Sequence, residues 1–145
     1  MNRKVFMKNI AACVAALGFV CAAGAAEPPK VQSEVLLRGT TSWDGVPYTA
    51  YPTGTPQLTV LKITIPPHTQ LAWHTHPMPN AGYVLSGDLT VEKKDNGQKQ
   101  HITQGQVLPE MVGAAHRGIT GERGAELIVF YAGTPGMPLS EADGY

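Results

Sequence analysis

Cysteine is scarce in this chain: its two copies, Cys13 and Cys21, both lie within the first 26 residues. From Glu27 onward there is no thiol, which excludes a disulfide framework, a thiolate metal ligand and a cysteine nucleophile. Long hydrophobic runs are missing as well. The most apolar stretch, 10–20, covers 11 residues, short of the ~20 that a helix needs to span a bilayer. Lysine and arginine form no cluster beyond the N-terminus, so the chain carries no electrostatic footprint for a polyanion, and nucleic acid is not expected as a partner. Neither a G-x-S-x-G elbow nor a phosphate-binding glycine loop occurs. Helical periodicity of any length is missing after the opening segment.

That opening segment has its own chemistry. Arg3, Lys4 and Lys8 precede the apolar run, Ala22 to Ala26 is a small-residue stretch, and Glu27-Pro28-Pro29 follows. This is the layout of a secretory signal peptide, with cleavage expected after Ala26. An uncleaved anchor is the rival, and the short apolar run counts against it. Ile10-Ala11-Ala12-Cys13 has the form of a lipobox, but Lys8 and Asn9 stand where an apolar stretch would be needed, so that reading is set aside. The expectation is an exported protein, periplasmic or secreted, with no membrane contact once the leader is gone. Three basic residues and no acidic ones leave with it, so eight Lys and Arg face eleven Asp and Glu, a net charge of −3. The remaining 119 residues suit one domain.

What is present is a series of short strands. Gln57 to Ile65 is rich in β-branched residues and is closed by Pro66-Pro67. Ala81 to Leu85 and Leu89 to Glu92 flank Ser86-Gly87, which reads as a turn. Asn96-Gly97 is a hairpin signal, because these residues accept a positive φ. Further strands are expected over 98–102, 106–108, 116–120 and 125–131, with an N-terminal strand over 33–37. Segment 42–55, with Trp43, Tyr48, Tyr51 and several prolines, reads as an arm lying across the body. The divisions are then a leader (1–26), an N-terminal strand and arm (27–57), a barrel (58–132) and a C-terminal tail (133–145). Short strands punctuated by Gly and Pro indicate an all-β sandwich or barrel.

His74-Thr75-His76 places two imidazoles two residues apart, on one face of a strand, which is half of a metal site. An H-x-H alone is weak, but its surroundings add to it. His74, His76 and Gly87 fall on the spacing H-x-H-x10-G, while Gly105, Gly113 and His116 fall on G-x7-G-x2-H. In these motifs and in the stretch 82–92, GYVLSGDLTVE, the chain resembles the cupin family. The resemblance implies a single double-stranded β-helix, a jelly-roll barrel. It also implies one divalent transition metal (Fe, Mn, Ni or Zn) on His74, His76 and His116. Departures from the family pattern are His68 for the first glycine, Met111 for the motif proline, Thr120 for the last asparagine, and Asn80 for the usual glutamate ligand.

With Asn80 in place of glutamate, three neutral imidazoles leave a divalent ion at +2 with open positions. Two functions stay open: a metal-dependent enzyme on a small oxygenated molecule (oxygenase or lyase/isomerase), or a non-catalytic module that binds a metabolite or metal. For the enzyme, Asn80 is expected to orient substrate or water. Glu110, six residues before His116, is a candidate base, with a surface or supporting position as the alternative. His68 and His101 read as solvated. Trp73, Tyr83 and Phe130 could line the cavity mouth, with core packing the plainer role. A homodimer is a family expectation only.

Overall fold

The computed structural model describes Pro28 and residues 30–143. The leader, both cysteines and the expected cleavage point lie outside these residues. The chain divides into two units, Met1–Ser33 and Glu34–Tyr145, and all regular structure described here belongs to the second. Every regular element among the described residues is a strand: β1 (Gln57–Ile65), β2 (His74–Thr75), β3 (Asn80–Lys93), β4 (Lys99–Thr103), β5 (Val107–Pro109), β6 (His116–Ile119), β7 (Ala125–Gly133) and β8 (Glu141–Ala142). None of the described residues forms a helix long and apolar enough to cross a membrane.

Two antiparallel layers share one long strand. The first half of β3 pairs with β7 and β5, and β7 pairs in turn with β1. Its second half pairs with β4 and β6, and β2 joins β6 to β8. The core between the layers holds Met78, Val84, Leu89, Val91, Ile102, Leu108, Leu127, Val129 and Tyr131. Each fully buried aliphatic side chain there contributes on the order of 1.5–3 kcal/mol by leaving water. Alternation along the strands produces this: on β7, Ala125, Leu127, Val129 and Tyr131 are buried and their neighbours are not.

Ser86-Gly87 is not a turn. β3 runs through it, with a register shift between Val84 and Ser86, and Gly87 adopts a φ of +76°. A β-bulge and a left-handed glycine bend the strand so that it serves both layers. The backbone also packs tightly here, since a Cβ on Gly87 would stand 2.0 Å from the Gly124 carbonyl oxygen. The Asn96-Gly97 turn is as expected: Gly97 has a φ of +69° and its N–H bonds the Lys93 carbonyl.

Two further expectations are corrected. No strand forms over 33–37, where Val35, Leu36 and Leu37 are exposed and no ladder pairs with them. The tail 133–145 is more than an arm, because Glu141–Ala142 pairs with β2 and Asp143 N–H donates to the Trp73 carbonyl. The arm does lie across the body. Its Trp43 N–H donates to the Pro109 carbonyl, and Asp44, its side chain almost sealed, pairs with Lys93 Nζ at 3.0 Å.

The motif departures have local reasons. His68 stands at a φ of +54°, the single non-glycine residue with positive φ among those described, which is the geometry a glycine takes without strain. The Thr120 hydroxyl donates to the Pro66 carbonyl at 2.6 Å and accepts from Thr69 N–H at 3.0 Å, clamping the loop after β1.

Candidate metal centre

The centre begins with strand register. His74 and His116 sit directly opposite each other in the β2–β6 ladder, where facing side chains are close neighbours. His76 follows just beyond β2 and turns its ring to the same place. The three ring centroids form a nearly regular triangle with separations of 4.6, 5.0 and 5.0 Å. His76 and His116 are buried, at 4% and 1% exposure, and His74 is half-buried. One ring nitrogen from each lies within 4.8 Å of the other two.

Each ring is tied down through its other nitrogen. His74 Nδ1 bonds the Ala72 carbonyl at 2.9 Å, His76 Nδ1 the Leu139 carbonyl at 2.7 Å, and His116 Nδ1 the Ala114 carbonyl at 2.9 Å. A carbonyl can only accept, so Nδ1 carries a proton in each case, and in the neutral ring Nε2 keeps its lone pair. Three neutral imidazoles with lone pairs turned to one point form a donor set for a divalent cation, and the carbonyl partners are the supports that metal-bound histidines use. The Leu139 contribution comes from the tail, which sequence reading left out of the site.

Glu110 joins this cluster. It follows β5, and its Oε2 lies 3.2 Å from His116 Nε2. The surface reading of Glu110 is therefore corrected: its side chain is only 14% exposed. Two buried polar atoms here have no hydrogen-bond partner, His116 Nε2 and Glu110 Oε2, and the same is true of Asn80 Oδ1 at the start of β3. Orphaned lone pairs of this kind cost about 1–3 kcal/mol each in an apolar interior, and a bound cation would satisfy them. The residues present therefore fit a divalent metal.

Burial lowers the pKa of His74 and His76 from the ordinary imidazole value, and the neighbouring His116 adds to this. Burial would also lower His116, but the Glu110 carboxylate outweighs it and the ring is raised. For Glu110 the opposite holds: burial would raise it, and the imidazoles outweigh that and hold it low.

Asn80 opens β3 with its side chain at 5% exposure, on the inward set with Gly82 and Val84. Its Nδ2 donates to the Met78 carbonyl at 3.2 Å. Opposite Asn80 in the β3–β7 ladder is Tyr131, whose ring centroid lies 5.8 Å from that of His76. Tyr131 is a residue that sequence reading missed. Phe130, named as a residue that could line a cavity mouth, faces outward at 40% exposure and borders a cavity beneath the arm. The parity of Leu127 and Val129 was the signal that could have identified Tyr131. Burial and the Glu110 charge push the Tyr131 phenol up, so it remains a proton donor at neutral pH.

The Arg117 guanidinium stacks 4.2 Å above the ring of Trp73. His68 and His101 are exposed, as expected, and His68 approaches Glu122 at 3.4 Å. A cavity of about 360 Å³ lies beneath the arm, lined by Leu37, Tyr48, Tyr51, Ala81, Phe130 and Ala132 among others. None of the three histidines borders it, but Asn80 does.

A cupin-domain family model matches residues 61–131, which contain all three histidines and Glu110. The chain belongs to the cupin superfamily. Solved structures agree on the fold. A polyketide cyclase from Streptomyces resistomycificus superposes with a TM-score of 0.53 at 18% identity, over 63% of this chain and 64% of the cyclase. A double-stranded β-helix protein from Klebsiella pneumoniae gives 0.51 at 17% identity, over 68% and 90%. A DMSP lyase from Ruegeria pomeroyi gives 0.53 at 16% identity, over 70% and 49%. The cupin thus spans just under two thirds of the cyclase and about half of the lyase. At these identities the likeness concerns fold alone. No curated protein sequence matches the chain significantly.

Proposed function

We propose that this cupin is a metal-dependent enzyme acting on a small oxygenated molecule, of the oxygenase or lyase/isomerase type. One observation carries the reading: three converging histidines, each with Nδ1 bonded to a backbone carbonyl and Nε2 left free. His74, His76 and His116 would hold one divalent ion, with iron, manganese, nickel and zinc all compatible with imidazole. When bound, such an ion supplies Lewis-acid stabilisation of negative charge on a substrate oxygen.

The chain's own groups surround that point. Asn80 has a buried carbonyl oxygen with no partner, suited to accept from a substrate hydroxyl or a water. Tyr131 supplies a phenolic O–H next to His76. Glu110 brings a carboxylate, which in such a place has two uses: to take a proton from substrate, or to bind the ion. The signal-like leader supports an exported location.

The test begins with metal analysis of the purified protein and of His76→Ala. Turnover is then assayed with diketone, catechol-like and sulfur-containing substrates, following oxygen uptake and, because two fold neighbours are a cyclase and a lyase, elimination and ring closure. The expected result is one metal per chain and turnover that His76→Ala abolishes. Stoichiometric metal with tight ligand binding and no turnover would favour the binding module instead.

A further inference from the structure

Glu110 and His116 meet in a way that an ordinary hydrogen bond does not explain. Oε2 and Nε2 are 3.2 Å apart, yet both are buried and neither has a hydrogen-bond partner. The ring proton of His116 is already on Nδ1, facing the Ala114 carbonyl. Nε2 therefore offers a lone pair to the same space as the carboxylate oxygen. In the neutral ring two lone-pair atoms so close and so far from water repel, and a cation between them, either a proton on Nε2 or a metal ion, removes the repulsion. Among the described residues no lysine or arginine pairs with Glu110, and the ring that its carboxylate meets is that of His116. The spacing also matches shared ligation. Two neighbouring ligands about 2.1 Å from one ion lie about 3.0 Å apart in an octahedron and about 3.4 Å in a tetrahedron.

The backbone holds Glu110 there from both sides. Its N–H donates to the Asn80 carbonyl at 3.0 Å, and its own carbonyl accepts from Tyr48 Oη at 2.7 Å. Asn80 stands where the related motif has glutamate and offers no charge. The carboxylate missing from the start of β3 reappears on the loop after β5, hydrogen-bonded through its backbone to the residue at that vacated place.

We infer that Glu110 is a direct, charged ligand of the same ion as His74, His76 and His116, its carboxylate coming from the loop between β5 and β6. This rests on the metal-centre reading of the proposed function and deepens it. With Glu110 bound, the formal charge at the centre is +1 instead of +2. An octahedral ion then keeps two open positions, enough for one chelating molecule. The matching substrate class is a monoanion with two neighbouring oxygen donors, such as an enolate or a hydroxy- or oxo-carboxylate.

The test uses Co²⁺ as probe on the whole chain freed of metal by chelation, as wild type, Glu110→Gln and His76→Ala. Dissociation constants come from titration, and infrared difference spectra on Co²⁺ addition report any carboxylate that becomes a ligand. The wild type is expected to bind one Co²⁺ with a shift of carboxylate bands. Glu110→Gln is expected to lose that shift and to bind about 100-fold more weakly. A loss smaller than about tenfold, or no carboxylate shift in the wild type, overturns the assignment. The wild-type spectrum does not depend on how well the variant folds. Failure of the wild type itself to bind Co²⁺ would overturn the metal centre as a whole, a result distinct from an unchanged Glu110→Gln.

Discussion

The Tyr48 hydroxyl donates a 2.7 Å hydrogen bond to the backbone carbonyl of Glu110, 62 residues away. Through this bond the arm holds the backbone of the residue whose carboxylate meets His116. Burial, with the Glu110 and Asp44 charges, pushes the Tyr48 phenol up to about 12, so the donor proton is retained at any working pH. Tyr48→Phe keeps the ring and removes the donor. The expected loss is about 1–2 kcal/mol of stability in urea denaturation. Metal affinity should weaken several-fold at the same time as Glu110 loosens. Unchanged values for both would show that the arm is only a cover.

Metal-free protein should have a stability maximum near pH 6.5. His116 is raised in the fold, so it adds stability that is fully present below the unfolded value of 6.5 and is lost as pH rises through its folded pKa. His74 and His76 are lowered, so below pH 6.5 the unfolded chain takes up two protons that the fold refuses, and stability falls. The lowered Glu110 adds stability that is present above its unfolded value of 4.5 and is lost as pH falls through its folded pKa. Urea midpoints of the stripped protein at pH 5, 6.5 and 8 check this, and a flat profile would sink it. Metal binding should release protons, measurable by calorimetry in buffers of different ionisation enthalpy.

Replacing His68 with glycine should stabilise the fold. The residue holds a φ of +54°, a conformation that costs an L side chain about 1–2 kcal/mol, partly offset by the greater chain entropy of glycine. Its exposed contact with Glu122 is worth little. A gain of up to about 1 kcal/mol with unaltered metal content is expected from thermal unfolding. Loss of metal in His68→Gly would show that His68 serves the centre after all.

Gly87→Ala should do the reverse. A Cβ there would meet the Gly124 carbonyl oxygen at 2.0 Å in a backbone held at a φ of +76°. Nothing flexible can give way, since the obstacle is the backbone that leads into β7. A loss above about 3 kcal/mol is expected, read as aggregation or a much lower unfolding midpoint. Gly97→Ala is the control, because open space surrounds that position, and it should cost only the strain of its own turn.

The likeness between sequence expectation and structure follows the range of each interaction. The pairing of His74 with His76, the turn at Asn96-Gly97 and the strand over Gln57–Ile65 are local, since they follow from a period of two and from residues that accept a positive φ. The motif spacings carried the cupin barrel and His116 as well. Apart from His116, sequence was silent on which residues 30 or more positions apart would face each other. Glu110 follows a proline that ends β5, so its direction depended on Asn80 and Tyr48 meeting its backbone. Tyr131 rather than Phe130 faces His76 because Tyr131 shares the parity of Leu127 and Val129, and the closing of β7 between β1 and β3 made that face the inside. Leu139 reaches His76 only because the tail folds back as β8 along β2. A sequence determines the relative facing of near neighbours, while the closing of the barrel decides which face is the inside and which distant carbonyls and carboxylates complete the centre.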